Sequence, residues 1–419
     1  MVDALSAIAA QTERQVAHWA QAVARLNLDD LASPEAWASL ERYLGVSLRR
    51  HLSGVIQRLR EESDALSAMQ RAAHSATAQA QVQRRLLAFR AQFVRAETTL
   101  DFFADAINTR GSAHAGALLR ACDTLAYRSM AQLLDPLGMQ VPVVLSFVDK
   151  GLGAAIMKAG LRLWDGGEVS PVATIRVVWH NLLRPTALIH EAGHQVAHIT
   201  QWTAELSDAL ERGLAVFSGD LARIWAGWAS EIAADAFAFA NTGFASVLAL
   251  HDVIAGEPNQ VFRFAPGDPH PVSYLRVLLG VETCRYFYGA GPWDELALSW
   301  TSLYSPRQVA PELGALFEEP RQLLQAVVRI TLDSPMQAFK GRSLRALVQP
   351  ERVSPRALGE LEQRIGAALF TSAHWLWTEP LRILALTGLR VAERPRELAD
   401  ALQLQEQAML RLGGALQAA

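Results

Sequence analysis

A chain of 419 residues is too long for one ordinary hydrophobic core; roughly 100–200 residues per domain predicts two or three, and a hydrophobic content of 51% can fill them. The 42 acidic residues outnumber the 39 basic ones, and the resulting net charge of −3 gives no footing for a nucleic-acid partner. Two cysteines, Cys122 and Cys284, neither in a CxxC, exclude a disulfide framework and a thiolate zinc cluster.

Asp3 stands where a signal peptide wants positive charge, and Gln11, Thr12, Glu13 and Arg14 interrupt any apolar run, so no ordinary secretion signal is expected. Residues 1–135 read as an N-terminal helical region, with Pro34 as the only proline before Asp135. Ser33-Pro34-Glu35 is a helix start, with the serine as cap and the proline at the first helical position. Between Leu59 and Ala106 apolar residues recur at spacings of three and four, among them Leu86, Phe89, Phe93, Leu100 and Phe103, which predicts packed helices in a bundle. Gly111-Ser112 sets off a further helix from Ala113 to Leu134.

The texture changes over residues 136–290. Val141–Val148 and Val172–Trp179 are β-branched runs and predict a small sheet. From Arg184-Pro185 the chain returns to helix, and residues 291–419 read as a C-terminal helical region. The most apolar stretch, about residues 222–251, carries Arg223, Glu231 and Asp235 and so does not read as a lipid-spanning helix. A soluble, cytoplasmic protein is the expectation.

The string with most chemistry is Leu188-Ile189-His190-Glu191-Ala192-Gly193-His194, which contains HExxH. Residues four apart share a helix face, so His190 and His194 can bind one metal ion, while Glu191 reaches a water beside it. A catalytic zinc site takes a third protein ligand and leaves one position open. Glu231 follows 37 positions after His194 in an apolar stretch that places Asp235 one turn further on. A helix rarely buries acids without reason. Glu231 is the expected third ligand, and Asp235 is expected to accept a hydrogen bond from the far nitrogen of a histidine ligand, fixing its tautomer. His198 lies two residues short of the HExxHxxGxxH spacing of metzincins, so it is expected beside the ligands or in the core rather than on the metal.

Pro269-His270-Pro271-Val272-Ser273-Tyr274-Leu275-Arg276 opens a third segment. HExxH, then ExxAD, then HPxxxxR in that order resembles the zinc metallopeptidases of the HtpX and CAAX prenyl protease type, gluzincins with glutamate as third ligand. The likeness covers about residues 140–285 and implies a zincin-like core there; with the helical regions read on either side, for which the family offers no counterpart, the expected fold is mostly α with a small β-sheet in that core. The likeness also implies that His270 and Arg276 line the cleft near the transition-state oxyanion. Those peptidases are typically integral membrane proteins, so membrane location and prenylated substrates do not carry over to this chain. A model resembling the FtsH type, which also carries HEAGH, would take Asp235 as third ligand instead; no GxxxxGK[ST] string accompanies it.

The expected activity is a zinc-dependent endopeptidase with Glu191 as general base. His270 donates to the oxyanion, with Arg276, Tyr274 or His180 as helpers. The strand through Val172, Thr174, Arg176 and Val178 serves as the edge on which an extended peptide pairs. The substrate is expected to be one specific protein, with the helical flanks used for docking a partner. The competing expectation is an inactive zincin-fold scaffold with a structural zinc.

Overall fold

The computed structural model describes residues 4–151, 155–157, 170–306 and 321–415. The chain is mostly helical. In chain order the elements are α1 (Ala4–Ala24), α2 (Pro34–Leu44), α3 (Leu48–Arg71), α4 (Ala76–Thr109), α5 (Ala113–Leu134), β1 (Val143–Asp149), β2 (Ala155–Met157) and β3 (Val172–Val178). They continue with α6 (Thr186–Thr200), α7 (Trp202–Leu214), α8 (Gly219–Gly227), α9 (Ala229–Thr242), α10 (Phe244–Ile254), α11 (Pro258–Val261), α12 (Ser273–Tyr288) and α13 (Trp293–Leu303). The remainder comprises α14 (Arg321–Leu332), α15 (Leu344–Val348), α16 (Pro355–Ile365), α17 (Ala368–Thr371), α18 (Ala373–Thr378), α19 (Pro380–Glu393) and α20 (Leu398–Ala415). No helix among the described residues is long and apolar enough to cross a membrane.

Two compact units divide these elements. The first holds, of the described residues, 4–111 and 170–174. Its helices α1, α3 and α4 pack through Val16, Val55, Leu59, Val82, Leu86 and Phe89. The serine start is built as the sequence reads: Ser33 Oγ accepts from Ala36 N at 3.2 Å, and Ser75, which the sequence reading does not single out, caps α4 in the same way, accepting from Ala78 N at 3.2 Å. Gly45 ends α2 with φ of 68°, a left-handed conformation that glycine adopts without strain.

The second unit takes residues 112–151, 155–157 and 175–306 and then 321–415 of those described. The division therefore cuts across the expected segments 1–135, 136–290 and 291–419. Helix α5, read as the last of the N-terminal region, is buried on nearly every side, packed against α6, α20 and β1. Its approach to α20 is so close that a Cβ on Gly413 would sit 1.8 Å from the Ala117 carbonyl oxygen. The C-terminal helices likewise share the core of residues 136–290: α19 packs on α9 and α10, and α14 on α7 and α12.

Among the described residues the sheet has three strands in the order β1, β3, β2. β3 is therefore the middle strand, hydrogen-bonded on both sides, and the expected role as a free edge does not fit it. An added peptide strand needs unpaired backbone groups, which only an edge presents. Val172, Thr174 and Val178 are buried, and half-buried Arg176 lies 3.7 Å from Asp149 of β1. β2 is an edge, and it packs against α6.

Candidate metal centre

Helices α6 and α9 form the densest contact in the second unit, and glycine makes it so. An added Cβ at Gly193 would lie 2.9 Å from Ala234 Cα and 3.1 Å from its carbonyl oxygen, closer than real contacts allow. This approach lets the histidines of one helix face the acids of the other.

His190 Nε2 lies 3.4 Å from Glu231 Oε2, and His194 Nε2 lies 3.2 Å from Glu231 Oε1. The imidazole rings meet edge to face, with centroids 4.7 Å apart. The two separations run to different oxygens of the one carboxylate, which places both imidazoles around the same acid group. His190, His194 and Glu231 form a candidate metal-binding triad, with all three donor atoms within 4.8 Å.

The charges argue in the same direction. Glu191, Glu231, Asp235, Arg276 and His190 line one cavity, three carboxylates against one guanidinium and one imidazole that can take a proton. Glu191, Glu231 and Arg276 are buried at 8%, 6% and 8% exposure, too little water to screen the imbalance.

The surroundings of the triad orient it. Asp235 Oδ1 lies 2.8 Å from His190 Nδ1, turning Nε2 toward Glu231. Arg276 grips Asp235 with two bonds, Nε donating to Oδ2 at 2.6 Å and a terminal nitrogen to Oδ1 at 2.8 Å, and donates to Glu231 Oε2 at 3.0 Å. Held this way, Asp235 sits on the far side of the His190 ring, a place for an orienting acid rather than a third ligand. Ser230 Oγ lies 3.4 Å from His194 Nδ1 and is the corresponding neighbour on the second histidine.

Burial opposes the charge on His190, but the adjacent Asp235 carboxylate and the hydrogen bonds to Asp235 and Glu231 outweigh it, raising the imidazole pKa to about 9. Burial also works against ionised Asp235, yet Arg276 and His190 push it down to about 2. Glu231 is likewise held ionised against burial, below the usual carboxylate range, by hydrogen bonds from both histidines and by the Arg276 charge. Arg276 is desolvated too, but Asp235, Glu231 and Glu191 hold it charged.

His270 stands at the rim, 60% exposed, with Nε2 3.7 Å from Glu231 Oε1. Its Nδ1 lies 2.7 Å from Asp268 Oδ1, and Asp268 also accepts from the His270 backbone N–H at 3.0 Å. The exposed ring therefore keeps one orientation toward the site. Arg276, expected near an oxyanion, is engaged with Asp235 and Glu231. His198 is half-buried one turn beyond His194, outside the triad, and its carbonyl accepts from Gln201 Nε2 at 2.7 Å. His180 is exposed on the turn after β3, and Tyr274 is buried against Phe262; neither lines the cavity. Ser230 and Asp268 escaped the sequence reading. Their only signal is adjacency, one residue before Glu231 and two before His270.

No family model, curated protein or solved structure matches this chain.

Proposed function

We propose that the chain is a zinc-dependent endopeptidase of gluzincin type. The observation that carries the reading is the convergence of His190, His194 and Glu231, one donor atom of each within 4.8 Å of the others, beside a glutamate that a purely structural site would not need. Two imidazoles and one carboxylate suit zinc, which in such a set acts as a Lewis acid and makes water a nucleophile near neutral pH.

The chain's own residues divide the remaining work. His190 and His194 bind through Nε2 and Glu231 through its carboxylate, while Asp235 holds His190 in the tautomer that leaves Nε2 free. Glu191, one step round α6 from His190 and lining the same cavity, takes the proton of the attacking water and passes it to the leaving nitrogen. His270, kept in orientation by Asp268, is placed at the rim to donate to the carbonyl oxygen as charge develops. Arg276 is a positioning residue, because both of its partners are carboxylates of the site. β2, the edge strand packed on α6, is the element offered to an extended substrate. Two buried cysteines, neither in a disulfide, suit a reducing compartment such as the cytoplasm. A single protein substrate docked on the helical flanks fits the large share of helix outside the site.

The test is hydrolysis of a mixed peptide library by zinc-loaded protein and by Glu191→Gln. General-base catalysis contributes roughly 10²–10⁴ in rate, so the variant should keep one equivalent of metal and lose that factor. Equal turnover by the variant would overturn the mechanism.

A further inference from the structure

The cavity at the triad has a volume of about 300 Å³ and two chemically different ends. Along α9 the pair Glu231 and Asp235 gives way within one turn to Ala236 and Phe239, and along α12 Arg276 gives way to Leu279 and Gly280. At 1.5 Å per residue, Arg276 to Thr283 spans about 10 Å, so the cavity runs well beyond the space needed for an ion and a water. Val247 and Val253 of α10 and Val328 and Leu332 of α14 close the deep wall.

The hydroxyls in that wall are turned away. Thr283 Oγ1 donates to the Leu279 carbonyl and Thr331 Oγ1 to the Val327 carbonyl, each at 2.8 Å within its own helix, and Ser246 Oγ donates to the Gly243 carbonyl at 2.8 Å. Each proton is thereby occupied, and an anionic group entering the deep end would lose its water without finding a donor among these hydroxyls. Gly280 lets α10 and α12 close tightly over this wall: a Cβ there would lie 2.8 Å from Val247 Cγ1. None of these residues takes part in the chemistry assigned above.

We propose that the deep end of the cavity receives a long apolar side chain of the substrate, of the leucine, methionine or phenylalanine kind, and so seats the neighbouring amide at His190, His194, Glu231 and Glu191. The inference rests on the hydrolytic reading. An apolar wall beside a few convergent polar groups is the usual form of a small-ligand seat, and burial of the whole side chain supplies the selectivity.

The test measures binding to zinc-loaded full-length protein of acetohydroxamate and of 4-methylpentanohydroxamate, which share a metal-binding head and differ in an apolar tail. Calorimetry should show the tail improving affinity by about 10-fold or more, as removal of several methylenes from water requires. Ala249→Phe and Val253→Phe, which fill the cavity from half-buried positions of α10, should each bring that ratio toward one. In chelator-treated protein, indole should bind saturably at one site, and less well in both variants. A tail effect under about twofold in the parent protein, or an undiminished effect in both variants, would overturn the pocket assignment. If the tail effect holds while no peptide is cleaved, the pocket stands and the peptidase reading fails.

Discussion

Replacing Gly193 by alanine sets two opposing effects against each other. Alanine in a helix interior is favoured over glycine by roughly 0.5–1 kcal/mol, so on propensity alone the change stabilises α6. The new methyl, however, would stand 2.9 Å from Ala234 Cα and 3.1 Å from Phe237 Cβ, and the first of these is backbone that no rotamer change can move. Ordinary contact needs about 0.5 Å or more of additional separation between α6 and α9, and overpacking of that kind costs about 1–3 kcal/mol. The net expectation is destabilisation by about 1–2 kcal/mol. The same displacement widens the separation of 3.2 Å between His194 Nε2 and Glu231 Oε1, so metal affinity should fall by about 10-fold or more. Denaturant unfolding of chelator-treated protein reads the first effect, and competition with a chromophoric chelator reads the second. A Gly193→Ala protein with unchanged stability and unchanged metal affinity would refute the argument that glycine sets the helix spacing.

Asp235→Asn keeps the shape of the side chain but weakens its hold on both His190 Nδ1 and Arg276; zinc affinity should fall about 10- to 100-fold by chelator competition, and an unchanged affinity would remove Asp235 from the support of the site. His190 in chelator-treated protein carries a proton at pH 7.5 because its pKa is raised to about 9, so zinc uptake should release about one proton, read by calorimetry in buffers of different ionisation enthalpy. The raised value also means that the stability His190 lends the chelated protein is complete below its ordinary 6.5 and disappears as pH rises through about 9. No proton release at pH 7.5 would contradict that placement of charge.

Local chemistry was the most legible part of the fold. Ser33-Pro34 and Ser112 mark helix starts because a cap needs only its own next three residues, and both are capped in the structure. His190, His194 and Glu231 could be picked out because four-residue spacing defines a face and because Glu231 breaks an apolar run. Packing partners were less legible. The apolar pattern of α5 shows that the helix is buried but not what buries it, so it was grouped with its sequence neighbours rather than with α6 and α20. The composition of β3 reports burial and not position in the sheet, which is why a middle strand read as an edge. Arg276 carried a signal that was read differently: a guanidinium on a helix with buried neighbours needs carboxylates, and Asp235 and Glu231 were the acids already singled out.

The central claim is that His190, His194 and Glu231 hold one metal ion, and metal analysis of purified parent and Glu231→Ala proteins tests it most directly. The expected result is one equivalent of zinc in the parent and none in Glu231→Ala, with unchanged secondary structure by circular dichroism. Zinc retained by Glu231→Ala but lost on Asp235→Ala would move the third ligand to the other carboxylate, and a parent that binds no divalent ion would contradict the account altogether.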